Sequence, residues 1–122
     1  MIVYFASMTG NVRRFARKID LEAREIAPNT VAEGPYLLIT YTIGYGEVPA
    51  KVADFLRDNG ELLRGVAVSG NRNWGANFGR AGDIVAREYG VPLIHKFELA
   101  GTATDVRIFN ERADDIATYL TQ

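Results

Sequence analysis

Residues 36–41 read Y-L-L-I-T-Y, and residues 42–49 continue T-I-G-Y-G-E-V-P. The first six are apolar or aromatic apart from Thr40, with no polar residue at alternate positions. That is the pattern of a strand covered on both faces, as parallel sheets require. The next eight break the strand with Gly44 and Gly46, then place Pro49 where the first turn of a helix accepts it. Val52, Phe55 and Leu56 give that helix an apolar stripe, and Asn59-Gly60 ends it. Strand, glycine loop and helix in succession form the unit of an α/β fold.

The same unit recurs on both sides. Toward the N-terminus, residues 2–6 are a continuous apolar run, a polar turn spans Ser7 to Asn11, and Val12, Phe15, Ala16 and Ile19 recur at helical spacing. Arg13, Arg14, Arg17 and Lys18 take the other side of that helix and read as a solvated face, with docking of an acidic partner as the alternative. Residues 21–26 form a weaker, charged strand suited to a sheet edge, and residues 28–34 a loop. Toward the C-terminus, residues 65–69 (G-V-A-V-S) are a short buried strand and residues 70–77 a long polar loop. Phe78, Ala81, Gly82, Val85 and Tyr89 define a third helix, stopped by Gly90 and Pro92. Residues 93–99 alternate as an edge strand does, with His95 beside Lys96 expected in solvent. Thr104 is the predicted cap of a last helix carrying Val106, Phe109, Ala113, Ile116, Ala117 and Leu120.

Five strands alternating with four crossovers predict a parallel sheet with helices on both faces. For five strands the doubly wound order 2-1-3-4-5 places the two least apolar strands, the second and the fifth, at the edges. A ligand then belongs outside the carboxyl ends of the strands, near the switch point between strands 1 and 3. The 122 residues, with no repeat, linker or low-complexity tract, are read as one domain spanning 1–122.

Composition removes several classes of chemistry. A hydrophobic fraction of 48% predicts a packed core, and a formal charge of -1 argues against nucleic acid as a ligand. The chain has no cysteine, which excludes thiolate nucleophiles and iron–sulfur or Cys-zinc sites, and its one histidine excludes a His-cluster metal site. The N-terminal apolar run is too short for a signal peptide and lacks a basic flank, and no run is long enough to span a bilayer. The expectation is therefore a cytoplasmic protein with no membrane role, no metal of its own and no catalytic side chain, whose redox chemistry comes from a bound cofactor.

Three loops leave the carboxyl ends of strands 1, 3 and 4. The first, Ser7-Met8-Thr9-Gly10-Asn11, joins a buried strand to a helix start and offers two hydroxyls, an amide and a glycine. It suits a phosphate held by neutral donors, and read alone it is equally an ordinary turn capped by Thr9 or Asn11. It matches neither G-x-x-x-x-G-K-[ST] nor G-x-G-x-x-G. The second, Thr42-Ile43-Gly44-Tyr45-Gly46-Glu47, leaves little bulk over a flat ligand, and its alternative is a flexible turn. The third, residues 70–77, holds the only tryptophan, Trp74, among Asn71, Asn73 and Asn77. An indole in a polar loop suits stacking on an aromatic ligand, with a core lid as the alternative, and the amides can pair with a pyrimidine-like edge. A neutral phosphate cradle, a glycine loop and an aromatic loop at one sheet edge meet the requirements of flavin mononucleotide, FMN.

Three motifs carry a family resemblance. S-M-T-G-N at 7–11 resembles the flavodoxin phosphate loop, while Y-T-x-G-x-G-x-V-P at 41–49 and S-G-N-R-N-W-G-x-N-F-G at 69–79 are more particular. Together they resemble the NrdI family, the flavodoxin-like activators of class Ib ribonucleotide reductase, over nearly the whole chain. The resemblance implies a flavodoxin-like fold, non-covalent FMN, an electron-donating reductase and the small manganese-binding subunit of the reductase as partner. It also implies that reduced flavin reacts with dioxygen to supply an oxidant for the dimanganese-tyrosyl radical site. By position, Ser7, Met8, Thr9, Gly10, Asn11 and Val12 would hold the phosphate. Tyr41, Thr42, Gly44, Tyr45 and Gly46 would border the flavin, with Asn71, Asn73, Trp74, Asn77, Phe78 and Gly79 on the other loop.

The main rival is a general electron-transfer flavodoxin, which usually surrounds FMN with acidic side chains. Here the ring-side loops set Glu47 against Arg72, and Gly44 and Gly46 are expected to leave the flavin edge open to dioxygen. A response-regulator receiver needs an acceptor Asp after strand 3 and an acidic pair after strand 1, where Tyr41-Thr42 and Ala6-Ser7 stand. A low-molecular-weight phosphatase needs the missing cysteine.

Overall fold

A computed structural model of the chain describes residues 1–120. Its elements run β1 (Ile2–Phe5), α1 (Asn11–Ala16), β2 (Ala23–Glu25), β3 (Tyr36–Tyr41), α2 (Ala50–Asn59), β4 (Leu63–Gly70), α3 (Arg80–Tyr89), β5 (Leu93–Glu98) and α4 (Ala103–Leu120). Short 3-10 turns, Gly60–Leu62 and Arg72–Asn77, precede β4 and α3. All five strands pair in parallel in the order β2-β1-β3-β4-β5, as the alternation of elements predicts.

Each central strand sends alternate side chains to opposite faces. Val3, Phe5, Leu37, Ile39 and Ala67 pack with Phe15 of α1 and with Phe109 and Ala113 of α4. Tyr4, Tyr36, Leu38 and Val66 pack on the other side with Val52, Phe55 and Leu56 of α2 and Val85 of α3. Both faces are dry, which is why residues 36–41 carry no polar alternation. Thr40, the exception, is fully buried, and its hydroxyl donates to the Tyr41 carbonyl at 2.9 Å.

Several boundaries differ from expectation for local reasons. Val12, Phe15, Ala16 and Ile19 are all buried, yet α1 stops at Ala16. The Lys18 N–H bonds the Phe15 carbonyl three residues back, at 3.0 Å, and so tightens the last turn. Of the basic residues there, Arg13 holds Glu25 of β2 with two bonds of 2.8 Å, and the Lys18 ammonium reaches the Ala100 carbonyl. The second strand shrinks to three residues, bounded by bonds from Val3 N–H to the Glu22 carbonyl and from Ile26 N–H to the Phe5 carbonyl. Pro49 stands just before α2 as its cap residue and not within its first turn.

The last helix is capped by Thr102, not Thr104. The Thr102 hydroxyl accepts from the Asp105 N–H at 3.2 Å, while Asp105 Oδ2 accepts from the Thr102 N–H at 2.8 Å. This reciprocal pair satisfies donors on both sides of the helix start. The other Asp105 oxygen lies 2.7 Å from His95 Nε2. His95, expected in solvent, is thus partly buried and ties β5 to the start of α4. Burial pushes the Asp105 carboxyl up, but its bonds from His95 and Thr102 outweigh that and hold it below its ordinary value of 3.8. A carboxylate depressed in the fold stabilises above its unfolded value and loses that contribution as pH falls through the folded one. Asp105→Asn is therefore expected to melt lower than the parent at neutral pH, with the gap closing as pH drops below 3.8. Thermal melts of both proteins across that range test this, and a gap constant with pH would assign Asp105 a cap role alone.

Among the described residues, no helix is long and apolar enough to cross a membrane.

Candidate functional site

The loops after β1, β3 and β4 converge on one cleft at the carboxyl edge of the sheet. Ser7, Met8, Thr9, Asn11 and Val12 line it from the first loop, Tyr41, Thr42, Gly44 and Gly46 from the second, and Asn71, Trp74, Asn77 and Gly79 from the third. The end of β4 adds Ser69 and Gly70, and the turn after β5 adds Leu99.

The first loop is shaped around Ser7. Its side-chain oxygen, almost fully buried, accepts from the N–H of Gly10 at 3.1 Å and from that of Arg13 at 3.3 Å. Gly10 adopts φ +89°, a left-handed conformation that a side chain would strain. The neutral caps expected from Thr9 or Asn11 are replaced by this serine. Asn11 is fixed instead by Arg14, whose guanidinium bonds Asn11 Oδ1 at 2.5 Å, leaving the amide nitrogen to meet Thr9 Oγ1 at 3.3 Å. Asn11 and Val12 open α1, so no carbonyl within the helix can take their N–H groups.

The second loop is a tight turn. Ile43 and Glu47 exchange backbone bonds of 3.0 and 2.7 Å, with Gly44 at φ +59° and Gly46 at φ +109°. Neither glycine is surrounded by empty space. The carbon a side chain would add at Gly44 would meet the Glu47 carboxylate at 3.2 Å, and at Gly46 the Arg80 stem at 2.7 Å. The glycines therefore expose backbone on the cleft side, while neighbours fill the side where their own side chains would stand. Tyr41 is partly buried, which pushes its hydroxyl above the ordinary value and keeps it a neutral group.

The third loop is a kinked 3-10 segment, with Gly75 at φ 55° and ψ -119°. Asn71 caps it by accepting from the Asn73 N–H at 2.9 Å. Trp74 is half exposed, not a core lid, and stands edge-on to Tyr45 with ring centres 6.0 Å apart.

Gly10, Tyr45, Asn73 and Phe78 lie outside the cleft lining and shape the loops: Gly10 and Asn73 through the bonds above, Tyr45 through its ring contact, and Phe78 beneath the Arg72 guanidinium at 4.9 Å. Ser69 and Gly70 stand inside the quoted 69–79 motif, so the sequence carried a sign of them. Leu99 had none. It is the non-glycine residue with positive φ, +54°, among those described. Ser69 Oγ donates to the Leu99 carbonyl at 2.6 Å, and the Leu99 N–H donates to the Gly70 carbonyl at 3.1 Å.

Comparison with known proteins agrees with this layout. The family model described as NrdI Flavodoxin like matches residues 3–111. Protein NrdI of Bacillus licheniformis is 44% identical, over 95% of this chain and 89% of its own length. Protein NrdI of Macrococcus caseolyticus is likewise 44% identical, over 100% of this chain and 95% of its own. Among solved structures, the Streptococcus pneumoniae TIGR4 flavodoxin superposes with a TM-score of 0.70 at 24% identity, over 97% of each chain, and so shares the fold. The chain belongs to the NrdI flavodoxin-like family.

Proposed function

We propose that residues 1–122 act as a single cytoplasmic domain that binds one FMN in this cleft. In this reading the reduced protein activates the small manganese-binding subunit of class Ib ribonucleotide reductase. The observation that carries the proposal is the meeting of the three loops, each of the composition FMN needs, in one cleft of a chain that belongs to the NrdI family.

The residues fit the group. The first loop presents hydroxyls of Ser7 and Thr9, the Asn11 amide and first-turn N–H groups, a neutral donor set suited to a phosphate monoester. Gly44, Gly46, Gly70 and Gly79 bring backbone to the cleft wall with no side chain between it and a flat ring. Trp74 and Tyr41 supply aromatic surface, and Asn71 and Asn77 supply paired donors and acceptors. Bound FMN supplies electron transfer, taking electrons from a reductase and passing them to dioxygen to yield the oxidant that the dimanganese site consumes. The chain's own part is to hold the cofactor, keep its phosphate neutralised by hydrogen bonds, and present an apolar rim at Met8, Ile43, Tyr45, Trp74 and Leu99, all exposed.

The test has two steps. Titration of apoprotein is expected to show one FMN per chain, quenching Trp74, with FAD bound poorly because no second G-x-G-x-x-G unit exists for an adenosine half. Equal affinity for FAD would overturn the single-phosphate site. Fully reduced protein is then mixed with manganese-loaded small subunit and dioxygen, and the tyrosyl radical is followed by electron paramagnetic resonance. A radical yield above that of an ordinary reduced flavodoxin is expected. A yield equal to that control would leave a general electron-transfer flavodoxin as the function.

A further inference from the structure

Charges on an edge strand need no special reason, since they keep it from pairing with other chains. On β5 that accounts for having Lys96 and Glu98, but not for where they reach. The two are separated by one residue and so share a face of the strand. His95 and Phe97, on the other face, meet Asp105 and Phe15.

Lys96 is three-quarters covered. Its ammonium donates to the Phe78 carbonyl at 3.0 Å and to Asp83 Oδ2 of α3 at 2.6 Å. Its stem lies so close to Gly79 that an added carbon there would come within 2.8 Å of it. Glu98 takes the other end of the same loop. Its Oε2 accepts from the Arg72 N–H at 3.2 Å, and its Oε1 faces the Arg72 guanidinium at 3.7 Å. That guanidinium in turn lies over the Phe78 ring. The contacts close a circuit from Glu98 to Arg72, from Arg72 to Phe78, from Phe78 to Lys96, and back along β5. Inside the circuit lies the segment that carries Trp74 and Asn77 into the cleft. That segment has few bonds of its own, chiefly Trp74 N–H to the Asn71 carbonyl and Phe78 N–H to the Gly75 carbonyl.

We propose that Lys96 and Glu98 are positioning residues that clamp residues 72–78 from both ends, so that Trp74 and Asn77 are in place before any ligand arrives. A loop ordered in advance does not lose that conformational entropy on binding, and the saving appears as affinity. The affinity arm of the test rests on the flavin reading; the mobility arm does not.

The test compares Lys96→Met, which keeps the stem and removes the charge, with Lys96→Arg and Glu98→Gln. Trp74 is the only tryptophan, so its fluorescence anisotropy and its quenching by acrylamide report this loop alone in apoprotein. Lys96→Met is expected to lower the anisotropy, increase quenching and weaken FMN binding by about tenfold, the size of one charge-assisted hydrogen bond. Lys96→Arg restores both readouts. Glu98→Gln moves them the same way by less, since its pair is more exposed, and it serves alone if Lys96→Met fails to fold. A loss of FMN affinity without any change at Trp74 would overturn the clamp, as would unchanged Trp74 mobility in both uncharged variants. If the parent protein fails to bind FMN, the flavin reading falls while the Trp74 readouts still decide the clamp.

Discussion

Phe15→Ala is expected to lower the unfolding free energy by about 3–5 kcal/mol, the range for deleting a buried phenyl ring. The ring is fully buried where α1, β5 and α4 meet. It stacks on Phe97 with centres 3.9 Å apart and 11° between planes, and it meets Phe109 edge-on at 5.8 Å. Gly101 also packs against it, close enough that an added carbon would fall 2.7 Å from the ring. Three separate elements therefore face the hole left by the alanine. Each is fixed by its own sheet or helix bonds, so the site cannot readily collapse. Natural domains hold only about 5–15 kcal/mol in total, so the variant should sit close to its folding limit. Urea unfolding at equal slope would show it as a large fall in midpoint. Tyr119→Ala removes a ring that is 75% exposed and is expected to change stability by no more than about 0.5 kcal/mol. A loss at Phe15 as small as that at Tyr119 would mean the three elements close over the gap.

The sheet order was legible because burial on both faces leaves a plain mark. Residues 2–6, 36–41 and 65–69 are apolar without alternation, and only a strand between two helix layers tolerates that. Element ends were less legible. Thr102 and Thr104 both stand before the apolar stripe of α4, and composition gives no preference between them. The choice falls to Thr102 because Asp105 lies three residues on and can return the bond, a pairing the pattern T-x-x-D does contain. The early stop of α1 has no such sign, since Arg17 and Lys18 are good helix formers and the chain turns there to bring Ile19 into the core.

The cleft was legible to the extent that it is made of loops following strands 1, 3 and 4. Hydroxyls, amides, glycines and a tryptophan are poor choices for loops that only connect. Its outer wall was not legible. Leu99 reaches the cleft through a backbone conformation that leucine rarely adopts, and no residue type announces that. Lys96, Glu98 and His95 read as solvated edge charges because a strand pattern shows which face a residue takes, not what loop or helix end covers it. Glu47 is a similar case. Sequence places it beside the glycine loop, and only the folded turn lays its carboxylate against Gly44.

Gly70→Val is expected to have the largest effect on the cleft. Gly70 ends β4 opposite Glu98 and lines the cleft together with Gly79. A side-chain carbon at Gly70 would come 2.9 Å from the backbone nitrogen of Gly79 and 3.1 Å from the Phe78 ring. The obstacle is backbone, so no flexible side chain can step aside. One of the two segments has to move. Gly70 is held in the sheet, its carbonyl bonded by the Leu99 N–H, whereas residues 78–79 form the free end of the loop. The loop end therefore gives way, carrying Asn77 and Gly79 out of place and pulling Phe78 from Lys96. A displacement of about an ångström at a binding constellation can cost on the order of a hundredfold, and FMN affinity is expected to fall by about that much. Overpacking should also destabilise the fold, by about 1–3 kcal/mol. Gly34→Val is the matched control, since nothing lies within 4 Å of the carbon it adds and its backbone is not left-handed. It should leave affinity and melting temperature near those of the parent. Calorimetric titration with FMN alongside thermal melts separates the outcomes. Unchanged affinity in Gly70→Val would mean that the loop end plays no part in holding the ligand. A fall in affinity matched by Gly34→Val would mean that the effect is not local to the cleft.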